Sequence, residues 1–249
     1  MESQTTHTSS TDLSMIQPVE QTQVRNFMAN VFAYMFVALG ISALFAYLFA
    51  TNESMLQYLV DPVKHSLSVL GYLVMFAPLG FVLLMSFGFN RLSAPALLIL
   101  FIAYSAINGI SFSFILLRFT AGTVLTCFLS AAAMFGIMAF MGYITHQDLT
   151  KFGRILFMGL IGLIVASVIN MFMSSGTLDY VISFIGVMVF TGLTAYDVQK
   201  LKNIGAGLQY AEVPAGDVKK LSILGALNLY LDFVNLFLFL LRLFGGRRN

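Results

Sequence analysis

The amino-acid sequence predicts an all-α integral membrane protein with seven transmembrane helices. Of its 249 residues, 59% are hydrophobic and only 10% are charged, and the mean hydropathy is +0.88. A soluble globular domain carries about 25% charged residues, so these few charges would not cover a water-exposed surface. Seven apolar runs follow one another along the chain. Each is about 18 residues or longer, which is the usual length of a membrane-spanning helix.

The chain divides into a polar tail and one membrane domain. Residues 1–24 are rich in Ser, Thr and Gln and lack the basic and apolar regions of a signal peptide. We expect a disordered tail over 1–24 and a single seven-helix domain over 25–249. Because unpaired backbone groups are costly in lipid, the apolar runs are predicted to be helices and not strands. The predicted spans are Val31–Ala50, Leu67–Phe89, Pro95–Leu117, Gly122–Tyr143, Ile155–Met173, Tyr180–Leu201 and Ser222–Phe244.

The distribution of basic residues predicts a cytoplasmic N-terminus. With this orientation eight Lys and Arg residues lie on the inner side, whereas the opposite loops carry only Lys64 and Arg118. Arg242, Arg247 and Arg248 conflict with the rule if the seventh run crosses the membrane. That run therefore either crosses against the rule or re-enters and returns to the inner side. The inner cations are Arg25, Arg91, Lys151, Arg154, Lys200, Lys202, Lys219 and Lys220.

Composition excludes several function classes. A net charge of +2 gives no basic surface for nucleic acid. Cys127 is the single cysteine, which excludes an intramolecular disulfide, and the three scattered histidines do not complete a zinc site. The glycines near Gly205 lie in a predicted loop without a preceding strand, so no phosphate-binding loop is expected. We expect no enzymatic activity, no cofactor beyond a weakly bound Ca²⁺, and no nucleic-acid partner.

Two aspartates interrupt the apolar spans. A carboxylate at the bilayer centre costs at least about 2.5 kcal/mol, so intramembrane aspartates are the first candidates for functional residues. One near a helix end, such as Asp197, can also simply reach the surface or meet a loop lysine. Asp197 lies near the basic end of the sixth run, and Asp232 lies ten residues into the seventh. Steps of three and four residues place Gly225, Asn228, Asp232 and Asn235 on one face of a helix. This stripe is predicted to face neighbouring helices instead of lipid.

Other polar residues within the spans have a more ordinary interpretation. Amide and hydroxyl side chains in membrane bundles mostly form interhelical hydrogen bonds worth about 0.6 kcal/mol. The alternative is that they line a pore. The methionines are expected to be apolar filler, because no cluster of cysteines or histidines accompanies them. The candidate polar stripe or pore lining consists of Asn108, Ser111, Asn170, Asn228 and Asn235.

If Asp197 and Asp232 meet, their chemistry is distinctive. Two carboxylates in a low-dielectric site share one proton, which makes a proton-controlled latch. Their oxygens would also form a weak site for a hard cation such as Ca²⁺. At about 1.5 Å per residue, Asp197 is about 5 Å from Lys200, whereas Asp232 is about 15 Å from Ser222. Helix tilt, a break near Gly225 or a deeper loop is needed to bring the two level.

Two long C-terminal segments resemble the signature of the Bax inhibitor family, and in particular of its bacterial members. They are Val189–Lys202 and Leu221–Gly245. The similarity of pattern extends over most of the chain, and only the N-terminal tail falls outside it. Further matching segments are Ser105–Ser111, Gly142–Leu149 and Leu160–Asn170.

The resemblance implies a fold and a function. It implies six helices surrounding a central C-terminal helix, and a pH-regulated calcium leak gated by the Asp197 and Asp232 pair. A basic residue between the second and third helices, here Arg91, is implied as a latch on that pair. The implied location is the bacterial inner membrane, with lipid, protons, Ca²⁺ and other membrane proteins as partners. The cell-death role of eukaryotic members is not carried over to a bacterial-type chain.

Two other function classes stay open at this point. The protein could be an interaction protein whose aspartates hold the bundle together without any ion flux. It could also be an intramembrane aspartyl protease, which places Tyr-Asp on one helix and a second Asp on the next. That class has Gly-x-Gly-Asp at the second site, where this chain has Leu229–Asp232 as Leu-Tyr-Leu-Asp. Leak and proton-coupled exchange are not separated by the sequence.

Overall fold

The computed structural model describes residues 11–61, 66–208 and 213–245, with the backbone alone for 11–21 and 61. Within these ranges seven helices are long and apolar enough to cross a membrane, which confirms the predicted class. A short helix and a two-stranded hairpin join the first two spans. The elements are α1 Thr11–Thr51, α2 Glu53–Leu56, β1 Val60–Asp61, β2 Ser66–Leu67, α3 Val69–Gly88, α4 Ala94–Arg118, α5 Ala121–Ile144, α6 Thr150–Met173, α7 Gly176–Gly207 and α8 Ala215–Phe244.

The first helix begins inside the segment that the sequence predicts to be disordered. Helix α1 starts at Thr11, so residues 11–24 continue the membrane helix outward, and Val24 is buried against the bundle. Once a helix is nucleated by its apolar part, each further residue adds a hydrogen bond at little cost. Residues 1–10 of the predicted tail lie outside the described part of the chain.

Capping hydroxyls set where several spans begin. Ser68, Ser93, Thr120 and Ser175 each accept a hydrogen bond from the backbone N–H three residues later, at donor–acceptor distances of 3.0, 3.4, 3.3 and 3.3 Å. The first N–H groups of a helix have no partner within the helix, and a side-chain oxygen supplies one. The polar breaks between apolar runs are therefore helix starts as well as loops.

The hairpin between α2 and α3 was not predicted. Strand β1 pairs antiparallel with β2, with Val60 opposite Leu67 and Asp61 opposite Ser66. It lies in the connection between two spans and is only two residues long on each side. It therefore leaves the helical character of the spans unchanged.

Helix α8 is the centre of the bundle, as the resemblance implies. The most apolar window of α8 is 72% buried, compared with 6% for the same window of α6. The main contacts of α8 are with α1, α4, α5 and α7. Helix α3 packs on α4 and helix α6 packs on α7, so these two complete the ring at its outer positions.

Two glycines allow neighbouring helices to touch backbone to backbone. A Cβ atom at Gly109 on α4 would collide with the carbonyl oxygen of Ser42 on α1. A Cβ atom at Gly142 on α5 would collide with the carbonyl oxygen of Ala195 on α7. Small residues at such crossings are typical of membrane bundles, where close packing replaces the hydrophobic effect as the driving force.

Helix α8 crosses the whole bundle and does not re-enter. It is unbroken from Ala215 to Phe244. Near its start, the Lys220 ammonium lies 5.6 Å from the ring centroid of Phe89, at the α3–α4 junction. At its end, Gly245 lies beside the ring of Phe119, at the α4–α5 junction. Because these junctions are at opposite ends of α4, the C-terminal end of α8, with Arg242, lies opposite the N-terminal side. Lys64, Arg247 and Arg248 are outside the described residues.

Candidate functional site

The two intramembrane aspartates meet at the contact between α7 and α8. The carboxyl groups of Asp197 and Asp232 lie close enough to interact with each other. A hydrogen bond between them would need a proton on one of the two groups, since an ionised carboxylate only accepts. Asp232 is 5% exposed, and its Oδ2 atom has no hydrogen-bond partner among the described residues. A buried oxygen without a partner is costly and needs an explanation, such as a proton shared with a neighbouring carboxyl, a bound ion or a functional role.

The register between α7 and α8 explains how the pair meets. Gly225 on α8 packs against the Leu201 side chain on α7, and Gly186 on α7 packs against the Phe239 ring on α8. The Asp197 and Asp232 pair lies between these two contacts along the antiparallel helices. Helix α8 is unbroken through Gly225. The two carboxyl groups therefore lie at the same depth along the helix axes because the C-terminal end of α7 and the N-terminal end of α8 lie at different depths. A break in α8 at Gly225 is not needed.

The pair lies on the wall of a cavity of about 550 Å³ between α6, α7 and α8. Asn228, Asp232 and Asn235 line its α8 wall, so the predicted stripe does share one face. Asp197 and Tyr196 line the wall formed by α7. The Nδ2 atom of Asn235 donates to the Leu231 carbonyl of its own helix, at 2.8 Å. Two carboxyl and two amide side chains thus line one shared cavity.

Two cations line the same cavity. Arg154 comes from the first turn of α6, and Lys200 from α7 one turn after Asp197. The Lys200 ammonium acts electrostatically on the Asp197 carboxylate. From the sequence, both cations are used to assign orientation, and Lys200 also to estimate the depth of Asp197. The signal that could have found Lys200 is its spacing of three residues from Asp197, which places the two on one helix face.

Arg91, the predicted latch, is not brought to the pair in this arrangement. It follows the α3 helix at the end of the bundle where Phe89 meets Lys220. Asp232 lies 12 residues beyond Lys220, which is about 18 Å along α8. An arginine side chain at that end does not span this distance, and Arg91 is not among the residues that line the cavity.

Asn108 belongs to a different polar cluster on the opposite side of α8. Its Nδ2 atom donates to the Tyr230 hydroxyl at 2.9 Å and to the Tyr104 hydroxyl at 3.3 Å. The Tyr230 hydroxyl also bonds the Ser42 Oγ atom at 2.7 Å, and Ser42 donates to the Ser105 carbonyl at 2.8 Å. We call Ser42, Tyr104, Asn108 and Tyr230 the tyrosine cluster. Its polar side chains join α1, α4 and α8 and form no part of the cavity.

The remaining predicted stripe residues make local structural contacts. The Ser111 hydroxyl donates to the Val74 carbonyl at 2.8 Å and so ties α4 to α3. The Asn170 Oδ1 atom accepts from the Ser175 N–H at 3.0 Å, in the turn between α6 and α7. These two residues do not line the Asp232 cavity. The interhelical and capping interpretation fits them better than a pore lining.

The connection between α5 and α6 fixes one end of the cavity wall. Gln199 on α7 accepts from the Leu149 N–H at 2.9 Å and donates to the Gln147 carbonyl at 2.8 Å. The Asp148 carboxylate accepts from the Thr150 N–H at 2.9 Å, and hydrogen bonding to Thr150 holds the pKa of Asp148 below its usual value. These contacts anchor the start of α6, the helix that carries Arg154.

The described residues contain no group of three or more His, Cys, Asp or Glu side chains that could hold a metal ion. Two carboxylates with two amide oxygens nearby are hard ligands, which suit Ca²⁺ better than a soft metal. A site with so few charges is suited to weak and reversible binding.

Comparison with known proteins gives consistent matches over nearly the whole chain. A family profile described as "Inhibitor of apoptosis-promoting Bax1" matches residues 24–249. The chain is 40% identical to "Inner membrane protein YbhL" of Escherichia coli (strain K12), over 94% of this chain and 97% of that protein. It is 35% identical to "Uncharacterized membrane protein M6_Spy0327" of Streptococcus pyogenes, over 89% of this chain and 93% of that protein.

Proposed function

Because this chain belongs to the Bax inhibitor family and is a multi-pass membrane protein, we propose that it is a pH-regulated calcium leak pathway. Its proposed location is the bacterial inner membrane, with the N-terminus in the cytoplasm. The observation that carries the proposal is the pair of half-buried Asp197 and buried Asp232 on the wall of an open cavity, with an Asp232 oxygen that has no partner among the described residues.

The pair couples protons to cations through its charge. With a proton held between Asp197 and Asp232, the pair carries one negative charge, which Lys200 and Arg154 offset. When that proton leaves, two carboxylates in a poorly solvated site repel each other and attract a hard cation. A proton and Ca²⁺ therefore compete for the same oxygens. The proposed gate is this competition.

The titratable and charged groups that face the pair are few. Arg154 faces it from α6, and Lys200 and Tyr196 face it from α7. In the described structure the cations beside the aspartate pair are Lys200 and Arg154. We therefore assign the latch role of Arg91 to a second arrangement of the bundle, in which Arg91 would lie beside the pair. Passage of an ion also needs an opening beyond the cavity toward the far side, which such a rearrangement would supply.

The test is Ca²⁺ flux into proteoliposomes between about pH 6 and pH 8. The wild type is compared with the Asp197→Asn, Asp232→Asn double variant, which keeps side-chain size and removes the titrating charge. Asp179→Asn is the matched control, because Asp179 is an aspartate on α7 in the first turn and outside the cavity. We expect pH-dependent flux in the wild type and the control, and flux without pH dependence in the double variant.

Three other outcomes of the flux experiment would contradict or change this proposal. Unchanged pH dependence in the double variant would overturn the gate assignment. Absence of flux at every pH, from protein shown to be folded, would favour an interaction protein whose aspartates join helices. Coupling of Ca²⁺ uptake to an opposing proton gradient would identify exchange instead of leak.

A further inference from the structure

A second cavity, distinct from the Asp232 cavity, lies on the lipid-facing side of the bundle. It is a groove of about 500 Å³ between α1 and α5, floored by the Phe233 side chain of α8. Its walls include Met35 and Phe135, which are buried, and the exposed rings of Phe36 and Phe140. Small residues on α5 open it, since a Cβ at Gly136 would meet nothing within 4 Å. The groove is therefore apolar along its length and open to the bilayer.

Charged residues lie at only one end of the groove, toward the N-terminal side of α1 and the C-terminal side of α5. Arg25 lines it at the N-terminal side of α1 and Tyr143 at the C-terminal side of α5. The Lys202 ammonium donates to the Tyr143 carbonyl at 2.8 Å and lies 5.3 Å from the Tyr143 ring centroid. The one ion pair within the described ranges joins Lys220 and Asp217, so neither Arg25 nor Lys202 has a carboxylate partner there.

The length of the groove matches one leaflet. Phe36 follows Arg25 by 11 residues, and Ala132 precedes Tyr143 by 11 residues. Each wall is therefore about 16 Å long. Half of the hydrocarbon core of a bilayer is about 15 Å. An acyl chain entering beside Arg25 would reach the bilayer midplane at Phe36 and Ala132.

We propose that this groove is a binding site for an anionic glycerophospholipid from the leaflet on the Arg25 side. One acyl chain occupies the groove between α1 and α5, and the phosphate and headgroup lie against Arg25 and Lys202. Cations at headgroup level that have no carboxylate partner among the described residues attract anionic lipids, and an apolar slot of leaflet depth holds the chain. This site is independent of the proposed ion leak.

The chain offers a clean reporter for this site because it contains no tryptophan. Phe140→Trp places a single fluorophore on the groove wall. Leu84→Trp is the control, because Leu84 is exposed on α3 and, like Phe140, lies four residues before its helix ends. Each variant is reconstituted in phosphatidylcholine mixed with phosphatidylglycerol, with bromine on the acyl chains of either one lipid or the other. Quenching by the two brominated lipids gives the lipid preference at each position.

The groove variant is expected to prefer the anionic lipid at least about fivefold, and the control to show a preference near one. Changing Arg25→Gln or Lys202→Gln in the reporter protein is expected to lower the preference roughly fivefold for each cation removed. Gly136→Leu should abolish it by filling the groove, whereas Gly162→Leu should not. A Cβ at Gly162 on α6 also meets nothing within 4 Å.

Equal quenching by both lipids at Phe140→Trp would overturn the site. The same preference at Leu84→Trp would overturn it as well, because the effect would then belong to the protein surface in general. Retention of the preference in the Arg25→Gln and Lys202→Gln variants would overturn the assignment of the headgroup contacts.

Discussion

Tyr230 and Asp232 are two residues apart on α8 and face opposite sides of it. The Tyr230 hydroxyl lies among hydrogen-bond partners at 2.7 and 2.9 Å, in a packed contact with α1 and α4. The Asp232 carboxyl lies against a cavity with one oxygen unpartnered. Polar groups that serve packing are satisfied, whereas polar groups that serve a reaction or a ligand are left with unused capacity. The same helix thus carries one tightly packed face and one face that lines a cavity.

The packed face is expected to tolerate added volume least. Gly109→Ala should lower the free energy of unfolding by about 3 kcal/mol, because the new methyl meets the Ser42 backbone and forces α1 and α4 apart. Gly153→Ala, on the cavity face, should cost only about 1 kcal/mol. There the obstacle is the Tyr196 ring, a side chain that can turn, and α6 packs mainly on α7 alone. Thermal unfolding of both variants in the same detergent measures the difference. Equal losses would contradict the distinction between the two faces.

Removing one hydroxyl from the tyrosine cluster tests whether that cluster is purely structural. Tyr230→Phe leaves Asn108 and Ser42 short of a partner and should cost about 1–2 kcal/mol of unfolding free energy. The pH dependence of ion flux should not change, since Tyr230 faces away from the cavity. Chemical denaturation and proteoliposome flux on the same preparation check both statements. A shifted pH dependence of flux in this variant would mean that Tyr230, on the other side of α8, also takes part in gating.

For the aspartate pair we expect a change in ion flux with little change in stability. Asp232→Asn should change the unfolding free energy by less than about 1 kcal/mol, because the amide still bonds Asp197 and no buried charge is left unpaired. The pH dependence of flux should nevertheless disappear. Measuring unfolding midpoint and flux together separates the roles, and Asp197→Asn should behave alike. A large loss of stability with unaltered flux would make the pair structural glue.

The smallest effect is expected at the anchored end of α6. Because hydrogen bonding to Thr150 holds the pKa of Asp148 below its usual value, the native state binds a proton there more weakly than the unfolded chain. This stabilisation is complete above about pH 4 and is lost as the pH falls further and Asp148 becomes protonated. Asp148→Ala should therefore lower the unfolding midpoint slightly at pH 7 and by less at pH 3. A difference that stays constant with pH would assign the effect to the side chain's size instead.

Apolar runs and helical spacing were enough to predict most of the fold. Seven long runs became seven spans, because no other backbone conformation satisfies its hydrogen bonds in lipid. The ends were less well predicted: α7 extends to Gly207 and α8 begins at Ala215, beyond the predicted limits of Leu201 and Ser222. Polar residues outside the membrane do not stop a helix, so hydropathy marks the apolar part and not the helix end.

For the candidate site, the sequence predicts which residues share one face of a helix, but not which other helices face them. Spacing placed Asn228, Asp232 and Asn235 on one face, and they line one cavity wall. Which helices face that wall depends on packing between segments distant in sequence, so the approach of Arg154 was not foreseen. For the same reason spacing along α4 does not show that Asn108 bonds Tyr230, which is 122 residues away in the chain and lies on the side of α8 opposite the cavity.

The central position of α8 has a consequence for how the protein is made. The helix that fills the core follows the other six spans along the chain, so those six are synthesised before their common partner. Contacts between α1 and α8 join residues far apart in sequence, and such contacts form late and slowly. The bundle is therefore completed only when α8 inserts among helices that precede it in the chain. A chain truncated before Ala215 would leave an unfilled bundle, which quality-control proteases could recognise.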